Sequence, residues 1–374
     1  MGTPLRSFFH GDKKLKISPN AKDPCLYHIF SDTLIVIIVV HVDDCIIAYN
    51  DDNFIKTFRE QIESKYEITF TETPTQVLGI QLDHLSDGSF TLRNTRLIDE
   101  SVRTFGQENA HPKKIPMDPG TVLTIGEDTP DPKISYLSLV GVLMWIMRCS
   151  RPDINVAVSM LASFSHCYTA AHYQAAINVL LFLKGTRTHC LVYKHTPLIP
   201  RGATRLSLYT DADYAVCKVT RRSRSGWVIL MGTNVIAYNS SRQKLVTLSS
   251  TESELVALCD GSKSLLGTIQ VVQHFVPAEL PVSVHVDNQG AIAIGTDEIH
   301  NNRTKHIDVR YFFTRELVDD GTIDVIYIAS EDNPADPLTK LLAYPAYCTG
   351  MQRLSILPAP KGAGGDTKPK HRNK

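Results

Sequence analysis

Between residues 206 and 287, two strand-like runs each lead into an aspartate, and a long helical run separates them. Residues 206–210 run into Asp211, the alternating stretch 282–286 runs into Asp287, and 249–266 is long and apolar enough for a buried helix. A strand–helix–strand crossover makes its two strands parallel neighbours, almost always with right-handed connection. Both aspartates then fall at the same carboxyl edge of one sheet, which is where open α/β sheets place their sites. The surrounding pattern extends this to β β β α β α β α. Strands are predicted at 206–210, 226–231, 235–238, 282–286 and 322–328, with helices at 249–266, near 307–318 and from Pro334.

The same edge collects further carboxylates. Glu252 and Glu254 sit in the first turns of the central helix, and Asp336 follows the last strand in Asn333-Pro-Ala-Asp336. Converging carboxylates repel one another and raise their pKa values, a conflict that a divalent cation removes. Hard Mg²⁺ prefers such oxygen ligands and tolerates sites completed by water and phosphate; two ions ~3.5–4 Å apart suit phosphodiester hydrolysis. The predicted site is therefore Asp211, Glu254, Asp287 and Asp336 with two Mg²⁺, Mn²⁺ being an alternative. Each position has a plainer reading. Glu252 forms a capping box with Ser249, and Glu254 stands in the same relation to Thr251. Asp213 competes with Asp211, Asp287 suits a strand-end turn, and Asp336 suits a helix dipole.

Upstream, residues 33–49 read as a β-hairpin turning at His41-Val-Asp-Asp44, followed by a helix through Phe54, Phe58, Ile62 and Tyr66. A second hairpin is expected at 77–92. A Pro-, Asp- and Gly-rich stretch at 107–134 precedes helices at 136–147, 154–164 and 169–184, the last stopped by Gly185 as its C′ residue. At 374 residues the chain exceeds what one core usually serves, so several domains are expected: 1–105, 106–200, 201–345 and a disordered basic tail over 346–374. Lys plus Arg and Asp plus Glu both number 39, so any nucleic-acid affinity must come from local patches rather than net charge. Eight scattered cysteines without a C-x-x-C pair point away from zinc and disulfides and toward a reducing compartment. No signal peptide or membrane-spanning run is predicted.

At these residues the chain resembles the ribonuclease H domain of copia-type retrotransposon polyproteins. The resemblance runs through YTDADYA (209–215), TRRSRSGWVILMG (220–232), LSSTESELVAL (248–258), VDNQGAIAI (286–294), NRTKHIDVRYFFTRELV (302–318) and NPADPLTK (333–340). Mapped by motif, the family's catalytic carboxylates fall on Asp211, Glu254, Asp287 and Asp336. Upstream, DPCLYHIF (23–30), HVDDCIIAY (41–49), LGIQL (78–82), SLVGVLMWIMRCSRPDI (138–154) and VLLFLKGT (179–186) are similar to the same polyproteins' reverse transcriptase. The implied fold class is α/β (α+β, multi-domain): a truncated palm, thumb and connection, then a ribonuclease H-like mixed five-stranded sheet with flanking helices. The implied activity is Mg-dependent cleavage of the RNA strand of RNA–DNA hybrids; the alternative is an inactive remnant that at most binds nucleic acid.

Departures from the family qualify this. Asp43 and Asp44 match the polymerase metal-binding pair, but the palm aspartate that would complete their site is expected on an earlier strand, so the pair is vestigial and no polymerisation is expected. His41 replaces the usual aromatic residue, Val216-Cys217 replaces a Gly–acid pair, and the loop 329–335 has no histidine. For the hybrid's backbones the predicted contacts are Arg221 and Arg222, grouped with Arg224, and the cluster Arg303, Lys305, His306 and Arg310. Lys368–Lys374 offers weak salt-sensitive affinity. Other parts of the polyprotein are expected partners, and the expected setting is cytoplasmic, in a virus-like particle or secondarily nuclear, with no membrane.

Overall fold

The computed structural model describes residues 17–20, 23–31, 33–125, 135–195, 203–296 and 308–359. It divides into two units, one made of 1–74, 198–204 and 264–278, the other of 75–197, 205–263 and 279–374.

In the first unit, β1 (Ser18–Pro19), β2 (Leu26–Phe30), β3 (Ile35–His41) and β4 (Asp44–Tyr49) form an antiparallel sheet in chain order. One face is apolar: Tyr27, Val36, Ile38 and Val40 pack on Ile55, Phe58 and Ile62 of α1 (Asp52–Glu63). Those three helix residues recur at i, i+3 and i+7, the stripe expected of a helix lying on a sheet. Asp51 caps the helix by accepting hydrogen bonds from the Asn53 and Phe54 amides. The β3–β4 turn is Val42-Asp43, with Val42 at φ 54, and Asp44 already belongs to β4.

The second unit carries two five-stranded sheets. In one, β5 (Gln76–Val77), β6 (Ile80–His84), β7 (Phe90–Arg93), β8 (His189–Tyr193) and β14 (Ile356–Pro358) run antiparallel in that order. Its strands come from both sides of the expected boundaries at 105, 200 and 345. Residues Tyr344–Arg353 form α9, and with β14 they correct the expectation of disorder from 346. The helices α2 (Thr95–Thr104), α3 (Tyr136–Cys149), α4 (Asn155–Ala162) and α5 (Ala170–Gly185) bury a common core through Ile98, Leu139, Leu143, Leu161, Leu180 and Phe182. Gly185 is not the predicted left-handed C′ residue. It closes α5 from inside, and a Cβ there would lie 2.9 Å from Pro112.

The other sheet has the order β11-β10-β9-β12-β13, from β9 (Leu206–Asp213), β10 (Arg224–Met231), β11 (Asn234–Arg242), β12 (Val282–Val286) and β13 (Ile323–Tyr327). β9, β10 and β11 are antiparallel, whereas β12 pairs parallel with both β9 and β13. This is the predicted mixed sheet, with α6 (Ser250–Val272), α7 (Gln289–Thr296) and α8 (Asp308–Asp319) as its helices. The expected final helix is a single 3-10 turn, Asp336–Leu338.

Candidate metal centre

β9 and β12 set the two aspartates level. Tyr209 pairs with His285 in their parallel register, so two residues on, Asp211 and Asp287 share the carboxyl edge. The third carboxylate arrives on α6. Gly261 lets that helix approach the sheet: a Cβ there would stand 2.9 Å from Thr210 and 3.2 Å from Leu208. Glu254, two turns earlier on the same face, thus reaches the end of β9, where its Oε1 accepts a 3.2 Å hydrogen bond from the Ala212 amide. Glu252 instead caps the helix, accepting from the Leu248 amide while Ser249 Oγ accepts from the Glu252 amide.

Asp211, Glu254 and Asp287 each present an oxygen within 4.8 Å of the others, the group of this kind found among the described residues. Asp211 and Glu254 are buried, at 2% and 5% exposure. Burial, followed by the charges of Asp211 and Asp287, pushes Glu254 up to about 9. Burial pushes Asp211 up to about 6, against the pull of Lys340 and the Thr339 hydroxyl. Glu254 Oε2 is buried without a hydrogen-bond partner. A buried, unpaired carboxylate oxygen facing two further carboxylates is costly unless a cation joins it. The oxygen-only donor set fits a hard divalent ion.

Asp336 lies outside this ring, beside it. Its Oδ1 is 2.6 Å from Lys340 Nζ, which is also 3.9 Å from Asp211 Oδ2. The loop that brings it there is pinned by Asn333, fully buried, whose Nδ2 donates to the Thr210 carbonyl at 2.8 Å and whose Oδ1 accepts from the Ala335 amide. The Thr339 hydroxyl donates to Asp211 Oδ2 and lies 2.9 Å from the Asp336 carbonyl. Gly226, opposite Asp211 on β10, makes this possible: a Cβ there would lie 2.7 Å from Thr339 Cγ2. Ser330 donates to Asp287 Oδ2 at 2.6 Å. Sequence reading missed Asn333, Thr339, Lys340 and Ser330 as site residues. Their only signal was proximity in sequence to Asp336.

No protein-family model matches the chain. The retrovirus-related Pol polyprotein from transposon TNT 1-94 of Nicotiana tabacum is 31% identical over 329 residues, 86% of this chain and 24% of that protein. That from transposon RE2 of Arabidopsis thaliana is 28% identical over 347 residues, 92% of this chain and 23% of that one. Over most of its length the chain is thus similar, at 28–31% identity, to retrovirus-related Pol polyproteins from copia-type transposons. It spans about a quarter of the length of each of these two relatives. Among solved structures, the RNase H1 of the halophilic archaeon Halobacterium salinarum NRC-1 is 16% identical, with TM-score 0.28, covering 36% of this chain and 94% of that one.

The remaining residues singled out in this chain fall in different places. Asp213 stands outside the carboxylate ring, half-buried and paired in register with Arg224. Arg224 is no surface contact. It is buried on β10, its Nη1 donates to Ser159 Oγ and Ser240 Oγ, and burial lowers it to about 10. Arg221 is exposed and Arg222 half-exposed, on the loop between β9 and β10. Arg303, Lys305 and His306 lie outside the described residues, and Arg310 is in α8 with its side chain outside them. Asp43, on the β3–β4 turn, and Asp44, the first residue of β4, are both exposed in the first unit. Of the described helices, α6 alone is long and apolar enough to cross a membrane by length and composition. It is also the helix seated on β9 through Gly261.

Proposed function

We propose that this chain is a divalent-metal-dependent endonuclease that cuts the RNA strand of RNA–DNA hybrids. The observation that carries the reading is the ring of Asp211, Glu254 and Asp287, with the partnerless buried Glu254 Oε2 inside it. In this reading these three carboxylates hold one Mg²⁺ or Mn²⁺, and Asp211 with Asp336 holds a second. A bound ion of this kind supplies an activated water and neutralises charge developing on the phosphate. The chain's own part is positional. Thr339 and Ser330 fix the rotamers of Asp211 and Asp287, and Asn333 fixes the loop that carries Asp336. Outer partners of this sort orient ligands and tune their basicity.

Arg221 and Arg222 are proposed to contact the hybrid's backbone, as are Arg303, Lys305, His306 and Arg310. Discrimination of RNA would come through 2′-hydroxyls and the A-like shape of the hybrid. Asp43 and Asp44 are proposed to take no part in this cleavage. The setting proposed is the cytoplasm, alongside other parts of the Pol polyprotein. The test is cleavage of an end-labelled hybrid with Mg²⁺, comparing wild type with Asp287→Asn. Mg²⁺-dependent cutting lost in the variant supports the reading. No cutting, or cutting indifferent to the substitution, leaves a folded relative without this activity.

A further inference from the structure

One cationic side chain, Lys340, stands between the fourth carboxylate of the site and the ring of three. Lys340 Nζ stands 2.6 Å from Asp336 Oδ1 and 3.9 Å from Asp211 Oδ2, in the place a second divalent ion would take between those two residues. Lys340 follows Asp336 by four residues, and Thr339 and Asp336 are tied through the Thr339 hydroxyl, so the ammonium is held on the turn that carries the aspartate. Lys340 also has somewhere to go. A cavity of about 330 Å³ opens beside it, lined by Asp213, Thr339, Arg224 and Leu341 among others. Asp213 is a half-buried carboxylate outside the ring, electrostatically coupled to Lys340.

Resting on the metal reading above, we propose that Lys340 is a tethered, displaceable cation. It neutralises the Asp211–Asp336 side of the site in place of a second divalent ion, and withdraws toward Asp213 when that ion binds. The two metal positions are then unequal by construction. The ring of Asp211, Glu254 and Asp287 loads without moving anything, whereas the Asp211–Asp336 position must first expel an ammonium. Asp213 acts as a positioning residue for Lys340.

The experiment is Mn²⁺ titration of the full 374-residue chain, with free ion followed by electron paramagnetic resonance, for wild type, Lys340→Gln and Asp213→Asn. Wild type is expected to bind one ion tightly and a second about tenfold or more weakly, since the second must first break the Lys340 ammonium's attraction to Asp336 and Asp211. Lys340→Gln should tighten the second ion by about tenfold and leave the first within about threefold. Asp213→Asn should shift the second ion the opposite way, toward weaker binding. Melting in chelator gives an independent readout. Lys340→Gln should melt below wild type without metal and regain wild-type stability with Mn²⁺. A loss equal in both conditions would make Lys340 merely structural and overturn the proposal, as would a second ion unchanged by Lys340→Gln. If wild type binds no Mn²⁺ at all, the metal reading itself falls; if it loads the ring normally but ignores both substitutions, only the role of Lys340 falls.

Discussion

Two pairs of aspartates invite comparison. Asp43 and Asp44 are neighbours in sequence, exposed at a hairpin turn whose two strands are antiparallel. Asp211 and Asp287 are 76 residues apart, yet level at the ends of two parallel strands, with Glu254 crossing behind them. Both residues of the first pair are exposed, where water screens their charges. In the second group Asp211 and Glu254 are buried and Asp287 half-buried, with an oxygen of each within 4.8 Å of the others. Adjacency in sequence therefore says little about a metal site; convergence under burial says much more.

The strongest way to break this contrast is substitution. Asp211→Asn, Glu254→Gln or Asp287→Asn should lower hybrid cleavage by more than ~100-fold, beyond what loss of an outer partner usually costs. Asp43→Asn and Asp44→Asn should leave the cleavage rate within about twofold of wild type, because an exposed turn carries little of the site. Equal losses at both places, in a gel assay at fixed Mg²⁺, would erase the distinction. Next come the residues that orient the ring. Asn333→Ala and Thr339→Val should cost ~10–100-fold in cleavage or in Mg²⁺ affinity. Asn333→Ala should also destabilise the chain by about 1–3 kcal/mol, measured by urea denaturation, because it strands the buried Thr210 carbonyl.

A pH series sharpens the comparison further. Glu254 is raised from 4.5 to about 9, and Asp211 from 3.8 to about 6, both mainly by burial. Between the unfolded and folded values the native state holds more protons than the unfolded one. In chelator, stability should therefore fall as pH rises from the ordinary carboxylate range toward about 9. Glu254→Gln should flatten that slope. The smallest expected effect belongs to the surface. Arg221→Ala and Arg222→Ala should weaken hybrid binding uniformly across sequences and each reduce the salt slope by about 1.

The edge that carries the site was legible in the sequence, because strand–helix–strand connectivity fixes direction without any contact being known. So was the separation of Glu252 from Glu254, since the capping box accounts for the first. The choice of Asp211 over Asp213 was legible in the motif, but the strand pattern alone left both open. Both lie inside β9, which runs on to Asp213 rather than stopping at 210, and only the approach of α6 through Gly261 decides which of them meets Glu254. Arg224 looked like one member of a basic cluster, but strand pairing turns it inward while Arg221 and Arg222 stay on the loop. Lys340, Thr339 and Asn333 act across 123 to 129 positions of chain, a distance at which no local pattern signals a contact. β8 and β14 were missed for a similar reason: each is short, and each becomes a strand by pairing with its distant partner.

β9 is hydrogen-bonded along both sides, to β10 on one and β12 on the other, and so sits in the middle of its sheet. Amides in such a strand exchange with solvent only when most of the sheet opens, whereas the single 3-10 turn Asp336–Leu338, though packed inward through Pro337 and Leu338, is closed by a few short-range backbone hydrogen bonds and can open over a shorter stretch. Asp211 is thus mounted on the slowest-opening part of the sheet and Asp336 on one of its faster neighbours. In deuterated buffer the two halves of one site should report different clocks, the β9 amides keeping their hydrogen long after those around Asp336 have lost theirs.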